Sequence, residues 1–160
     1  MRKSVTSQAQ KPIVPEHEVL RDLLELYASK ADELIAGAKG RRQKALRLDR
    51  ADALRSARES LKAGRAGEFV RFASSRQALP IARRVARNTN AISHLEKLPE
   101  ATRLELCKAF ARALEAERRA DDKLVKSGEI TREPGVCSIL DYKLAKLRRV
   151  QSGLGAGKAV

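Results

Sequence analysis

Apolar residues recur at intervals of three and four along most of this chain, which is the period of one face of an α-helix. The clearest example lies between Pro15 and Gly40. Its apolar residues are Val19, Leu20, Leu23, Leu24, Tyr27, Ala31, Leu34, Ile35 and Ala38. No segment shows the alternation of apolar and polar residues that a half-buried strand requires. The sequence therefore predicts an all-α fold.

Glycines and prolines divide the chain into about five to six predicted helices that form a bundle. The predicted helices cover 16–38, 41–63, about 69–73, one or two helices within 78–97, 99–126 and about 139–151. The predicted organisation is a disordered basic arm over 1–14, a single helical domain over 15–151 and a flexible tail over 152–160.

Aromatic residues and cysteines are scarce in this chain. Two tyrosines, three phenylalanines and no tryptophan predict an aliphatic core. Cys107 and Cys137 have no second cysteine at metal-ligand spacing, so we expect reduced thiols in a cytoplasmic protein. No run approaches the roughly 18 apolar residues that a membrane-spanning helix needs, so no membrane partner is expected.

The formal net charge of +14 is concentrated in two blocks. Residues 41–98 contain 15 Lys and Arg against 5 Asp and Glu, and residues 134–160 contain 5 against 1. The other two stretches are neutral, with 6 against 6 in residues 1–40 and 8 against 8 in residues 99–133. An arginine-rich proteome would distribute basic residues more evenly, so this pattern predicts a basic face for a polyanion.

Two interpretations of residues 78–97 are open. As one helix, the segment has an apolar seam with a polar residue, Asn88, at its centre. As two helices, it turns at 86–88. The second pattern resembles the helix-turn-helix of bacterial repressors and ParB-type partition proteins over about 18 residues. The matching residues are Ile81, Ala82, Val85, Asn88, Ile92, Ser93 and Leu95.

The resemblance implies a recognition helix near 89–97 that enters the major groove of duplex DNA. Its outward residues would be Thr89, Asn90, Ser93 and His94. Two positions depart from the family pattern. Ala86 stands where glycine is usual in the turn, and Arg87 stands where an apolar residue is usual.

We predict that three groups of basic residues contact phosphates. Two groups lie at helical spacing on 41–63 and on the last helix, and the third lies in the acid-poor segment between them. The predicted nucleic-acid-binding residues are Lys44, Arg47, Arg55, Arg58, Lys62, Arg71, Arg76, Arg83, Arg84, Arg87, Thr89, Asn90, Ser93, His94, Lys143, Lys146, Arg148 and Arg149.

No catalytic, metal-binding or cofactor-binding motif is visible. The ending SGLGAGKAV lacks the spacing of a phosphate-binding P-loop. The scattered residues His17, His94, Cys107 and Cys137 show no metal-ligand spacing. The acids of helix 99–126 fit surface pairs within that helix. They are Glu105, Glu115, Glu117, Asp121 and Asp122. We therefore expect a protein that is not an enzyme and needs no cofactor.

The leading prediction is a small DNA-binding regulator, or a partition or mobilisation accessory protein, with duplex DNA favoured over RNA. One alternative is a helical subunit that lines a nucleic-acid channel in a ribonucleoprotein complex, as CRISPR small subunits do by analogy. A second alternative is an adapter or chaperone for an acidic protein. Helix 16–38 is neutral and rich in apolar residues, so it is predicted to serve as a homodimer seam or a docking face.

Overall fold

A computed structural model describes residues 16–132 and 138–153. The described chain contains seven α-helices, one 3-10 turn at Arg76–Ala78, and no strand. The helices are α1 Glu16–Ala36, α2 Gly40–Lys62, α3 Gly67–Ala73, α4 Leu79–Asn88, α5 Ala91–Leu95, α6 Glu100–Lys126 and α7 Ile139–Gln151. The predicted all-α bundle is confirmed. The predicted arm over 1–14, Cys137 and the tail beyond Gly153 lie outside the described residues.

Helix α1 contributes its apolar stripe to the chain's own core. It packs against α2, α4 and α5, and the ring of Tyr27 meets that of Phe69 edge-on, with the centroids 5.6 Å apart. The buried residues are Val19, Leu20, Leu23, Leu24, Tyr27, Ala31 and Leu34. Neighbouring helices of the same chain therefore cover the apolar stripe, and homodimerisation or docking through helix 16–38 stays a prediction.

Helix α6 organises the opposite side of the bundle. Its buried residues include Leu106, Cys107, Phe110 and Leu114, and it packs against α3, α4 and α7. Because α4 and α7 both lie on α6, the two basic blocks of the sequence come together beside this acid-containing helix.

Helix α2 is buried along only half of its length. All of its buried residues lie after residue 53, and they are Leu54, Ala57, Ser60 and Leu61. Between Gly40 and Arg50 no residue is buried, and Leu46 and Leu48 are 49% and 42% exposed. Helical spacing places Leu46 on the same face as Leu54, Ala57 and Leu61, but only the later three residues are buried.

The chain breaks its helix between α4 and α5, so the single-helix interpretation of 78–97 is wrong. The break falls at Thr89 and Asn90, whose φ angles are −135° and −96°. The Thr89 hydroxyl donates to the Val85 carbonyl at 2.5 Å and accepts from the Ala91 amide at 3.2 Å. The turn therefore lies after the expected 86–88, and Ala86 is a buried helical residue that needs no left-handed backbone.

Two helix ends carry residue types that are typical of these positions. Ser138 caps α7 by accepting from the Asp141 amide at 3.1 Å. Gly128 follows α6 with φ +81°, the left-handed conformation in which glycine is favoured. Among the described residues, no helix is long and apolar enough to cross a membrane.

Candidate nucleic-acid interface

The arginines of α4 lie against carboxylates of α6. Arg83 Nε is 2.6 Å from Glu117 Oε1, and Arg87 Nη1 lies 2.9 Å from Glu117 Oε2 and 3.1 Å from Asp121 Oδ1. Asp121, then Glu117, hold the pKa of Arg87 above its ordinary value, although partial burial opposes them. The expectation that these acids pair within α6 is wrong, because α4 presents two guanidinium groups directly to them.

Four more predicted phosphate ligands also have carboxylate partners. The pairs are Arg84–Glu33 at 3.1 Å, Arg55–Asp52 at 2.6 Å, Arg58–Glu25 at 2.8 Å and Lys62–Glu59 at 3.7 Å. Exposed ion pairs of this kind contribute little to stability. They nevertheless neutralise cations locally, so a phosphate would have to compete with a carboxylate already in place.

The basic residues of α7 reach the junction between α4 and α5. Lys143 Nζ donates to the backbone oxygens of Ala86, Arg87 and Thr89 at 2.9, 2.5 and 3.2 Å. Burial, then the charges of Arg87 and Lys146, lower the pKa of Lys143. An ammonium group has three protons, so these bonds use its full donor capacity. Lys143 is thus a cap on the C-terminal end of α4 rather than the outward cation that the sequence predicted.

The polar residues expected to contact bases are only partly available. Ser93 accepts a hydrogen bond from Lys146 at 3.1 Å, and Thr89 is committed to the turn. His94 is half-buried, with its Nδ1 buried and without a hydrogen-bond partner among the described residues. Asn90 is exposed. Ala91, Ile92 and Leu95 are buried, so short α5 presents few side chains to a groove.

A smaller set of the predicted basic residues has neither an ion pair nor a side-chain hydrogen bond within the described parts of the chain. It consists of Lys44, Arg71, Arg76, Arg148 and Arg149. Arg47 donates to the Leu34 carbonyl instead. The structure therefore divides the predicted interface into neutralised and free cations.

Free cations that the sequence analysis missed lie at the start of α2. Arg41 and Arg42 are exposed and Arg50 is half-buried, and none has a side-chain partner in the described regions. They belong to the same basic block as Lys44, which is the signal that could have identified them. Helical spacing assigns the phosphate contacts to one basic face of the helix and puts Arg50 on the apolar face, whereas the fold buries no residue between Gly40 and Arg50.

Two groups of cations differ in whether they are bonded to other protein groups. The first group consists of Arg41, Arg42, Lys44 and Arg50, which we call the α2 basic segment, and it has no described side-chain partner. The second group lies where α4, α5 and α7 meet, and most of its cations are bonded to protein groups.

No protein-family model, curated protein or solved structure matches this chain. Across residues 16–132 and 138–153, no group of three or more His, Cys, Asp or Glu side chains could hold a metal ion.

Proposed function

We propose that this protein is a non-catalytic, cytoplasmic nucleic-acid-binding protein that contacts the phosphate backbone through the α2 basic segment. One observation carries the proposal. Arg41, Arg42, Lys44 and Arg50 lie on an unburied stretch of helix without ion-pair partners in the described structure, and Asp49 is the single acid among them.

Cations without a carboxylate partner are the ones available to a phosphate. A cation already paired with a carboxylate gains little from a phosphate, whereas a solvated cation releases the counterions of the nucleic acid when it binds. At 1.5 Å per residue, the segment from Gly40 to Arg50 is about 16 Å long. A single uncovered helix of this kind is narrow enough for the major groove of duplex DNA, which is about 12 Å wide.

The short α5 favours binding without sequence recognition. Its five residues span about 7.5 Å, and three of them are buried. Contacts to base edges, which give sequence specificity, would depend mainly on Asn90 and the exposed part of His94. This observation supports, as a second candidate, a small helical subunit that holds nucleic acid in a larger ribonucleoprotein complex. The helix-turn-helix regulator remains the alternative that requires sequence-specific binding.

Titrations with duplex DNA, single-stranded DNA and RNA at several salt concentrations test the proposal. If four cations each contact a phosphate, the log–log slope of affinity against salt on duplex DNA should be about −3.6. A strong preference for one duplex sequence over bulk competitor would favour the regulator. Absence of binding, or affinity that hardly changes with salt, would contradict the proposal and favour an adapter for an acidic protein.

A further inference from the structure

Three arginines line a cleft between the 3-10 turn and α6, and no residue of the α2 basic segment lines it. Its cavity volume is about 350 Å³, and its lining residues are Arg76, Leu79, Arg112, Glu115 and Arg119. Arg112, Glu115 and Arg119 follow helical spacing and share one face of α6. Arg76 approaches from the 3-10 turn and Leu79 from the first turn of α4.

The cleft retains most of its positive charge. Elsewhere in this fold, arginines that lie close to carboxylates pair with them, as Arg83 and Arg87 do with Glu117. In the cleft, Glu115 makes no ion pair with any described residue, and Arg76 and Arg119 have no side-chain partner there. Three guanidinium groups against one carboxylate leave a formal surplus of two positive charges around a single cavity.

One guanidinium group is also held in position. Arg112 Nη2 donates to the backbone oxygen of Ser74 at 2.7 Å, which fixes the side chain next to the segment that leads into the 3-10 turn. The remaining N–H groups of Arg112, and those of Arg76 and Arg119, can donate to a ligand. Forked guanidinium donors match the geometry of phosphate oxygen atoms and can bind two of them at once.

We propose that this cleft is a binding site for a phosphate group. The volume lies within the range of small-molecule pockets, and Leu79 provides an apolar wall next to the charged one. The phosphate comes either from a free phosphorylated small molecule or from the backbone of a bound strand. The site contains no residue of the α2 basic segment, so the test of this site is independent of the test of the proposed function.

Calorimetric titration of the full chain with inorganic pyrophosphate at fixed ionic strength tests this site. We expect saturable binding that Arg76→Gln and Arg119→Gln each weaken about tenfold, since each removes a charge-assisted hydrogen bond. Both side chains are exposed, so the variants should fold. Glu115→Gln should tighten binding, a change that loss of structure cannot mimic. Lys97→Gln removes an exposed cation that belongs neither to the cleft nor to the α2 basic segment, and it should leave pyrophosphate binding unchanged.

Competition separates the two sources of phosphate. Displacement of pyrophosphate by duplex DNA would place a strand phosphate in the cleft, and its persistence would indicate a free small molecule. Absence of saturable pyrophosphate binding would overturn the proposal, as would cleft variants that bind as tightly as the unmodified chain. Failure of the α2 basic segment to bind nucleic acid would leave the pyrophosphate result unaffected.

Discussion

The ammonium group of Lys143 has three protons, and the fold offers it three backbone oxygens where α4 ends. Helical spacing correctly places its neighbours Leu140, Leu144 and Leu147 in the core. Spacing does not reveal that the end of another helix lies within reach of Lys143. A cation predicted to face solvent therefore becomes an internal hydrogen-bond donor, for a reason that depends on tertiary structure alone.

Lys143→Met is expected to lower the free energy of unfolding by about 1–3 kcal/mol, because it leaves partly buried carbonyl oxygens without donors. Urea denaturation followed by circular dichroism measures the change. Arg148→Met is the matched control, since Arg148 is an exposed cation on the same helix with no described partner. We expect a change of no more than about 0.5 kcal/mol there. Equal effects of the two variants would refute the capping role.

At the scale of helices, those with strong periodicity and clear ends could be predicted from sequence. The helix predicted at 99–126 is found at Glu100–Lys126, and the one predicted near 139–151 is found at Ile139–Gln151. The sequence prediction places the turn after α4 at 86–88, which is too early. The hydrogen bonds of the Thr89 hydroxyl form the turn, and the apolar pattern of the sequence contains no sign of them.

The candidate site was less predictable than the helices. Composition locates the basic blocks, but only the packing of α4 on α6 shows that the carboxylates of a neutral segment neutralise part of one block. Likewise, Arg112 and Arg119 belong to that neutral segment, and their cleft becomes visible only when the 3-10 turn lies beside α6.

The contact between α4 and α6 makes a testable contribution to stability. Glu117 accepts from both Arg83 and Arg87, and its side chain is 15% exposed. Glu117→Gln should destabilise the fold by about 1–2 kcal/mol, a value reduced from that of a buried pair because both arginines are more than one third exposed.

Thermal or urea unfolding measures this change. The matched control is Glu59→Gln, which removes the partner of Lys62 in a pair whose side chains are both 68% exposed. It should change stability by less than about 0.5 kcal/mol. If Glu117→Gln has no larger effect than the control, the ion pairs do not hold α4 against α6.

For the whole molecule, net charge is a poor guide to the binding surface until the ion pairs are known. The chain has a formal charge of +14, yet Arg83, Arg84 and Arg87 from its acid-poor segment lie against carboxylates of α6 and α1. The exposed half of α2 retains its free cations. We therefore expect a polyanion to bind there first, and the paired half of the same helix to contribute less.

One comparison tests this account most directly. The triple variants Arg41→Gln/Arg42→Gln/Lys44→Gln and Arg55→Gln/Arg58→Gln/Lys62→Gln each remove three cations from α2, so both lower the net charge equally. Circular dichroism should first confirm that both variants fold. In salt-dependent titrations with duplex DNA, the first triple should reduce the magnitude of the log–log slope by about 2.7. The second should reduce it much less. Equal losses, or a first triple that binds as the unmodified chain does, would contradict the account.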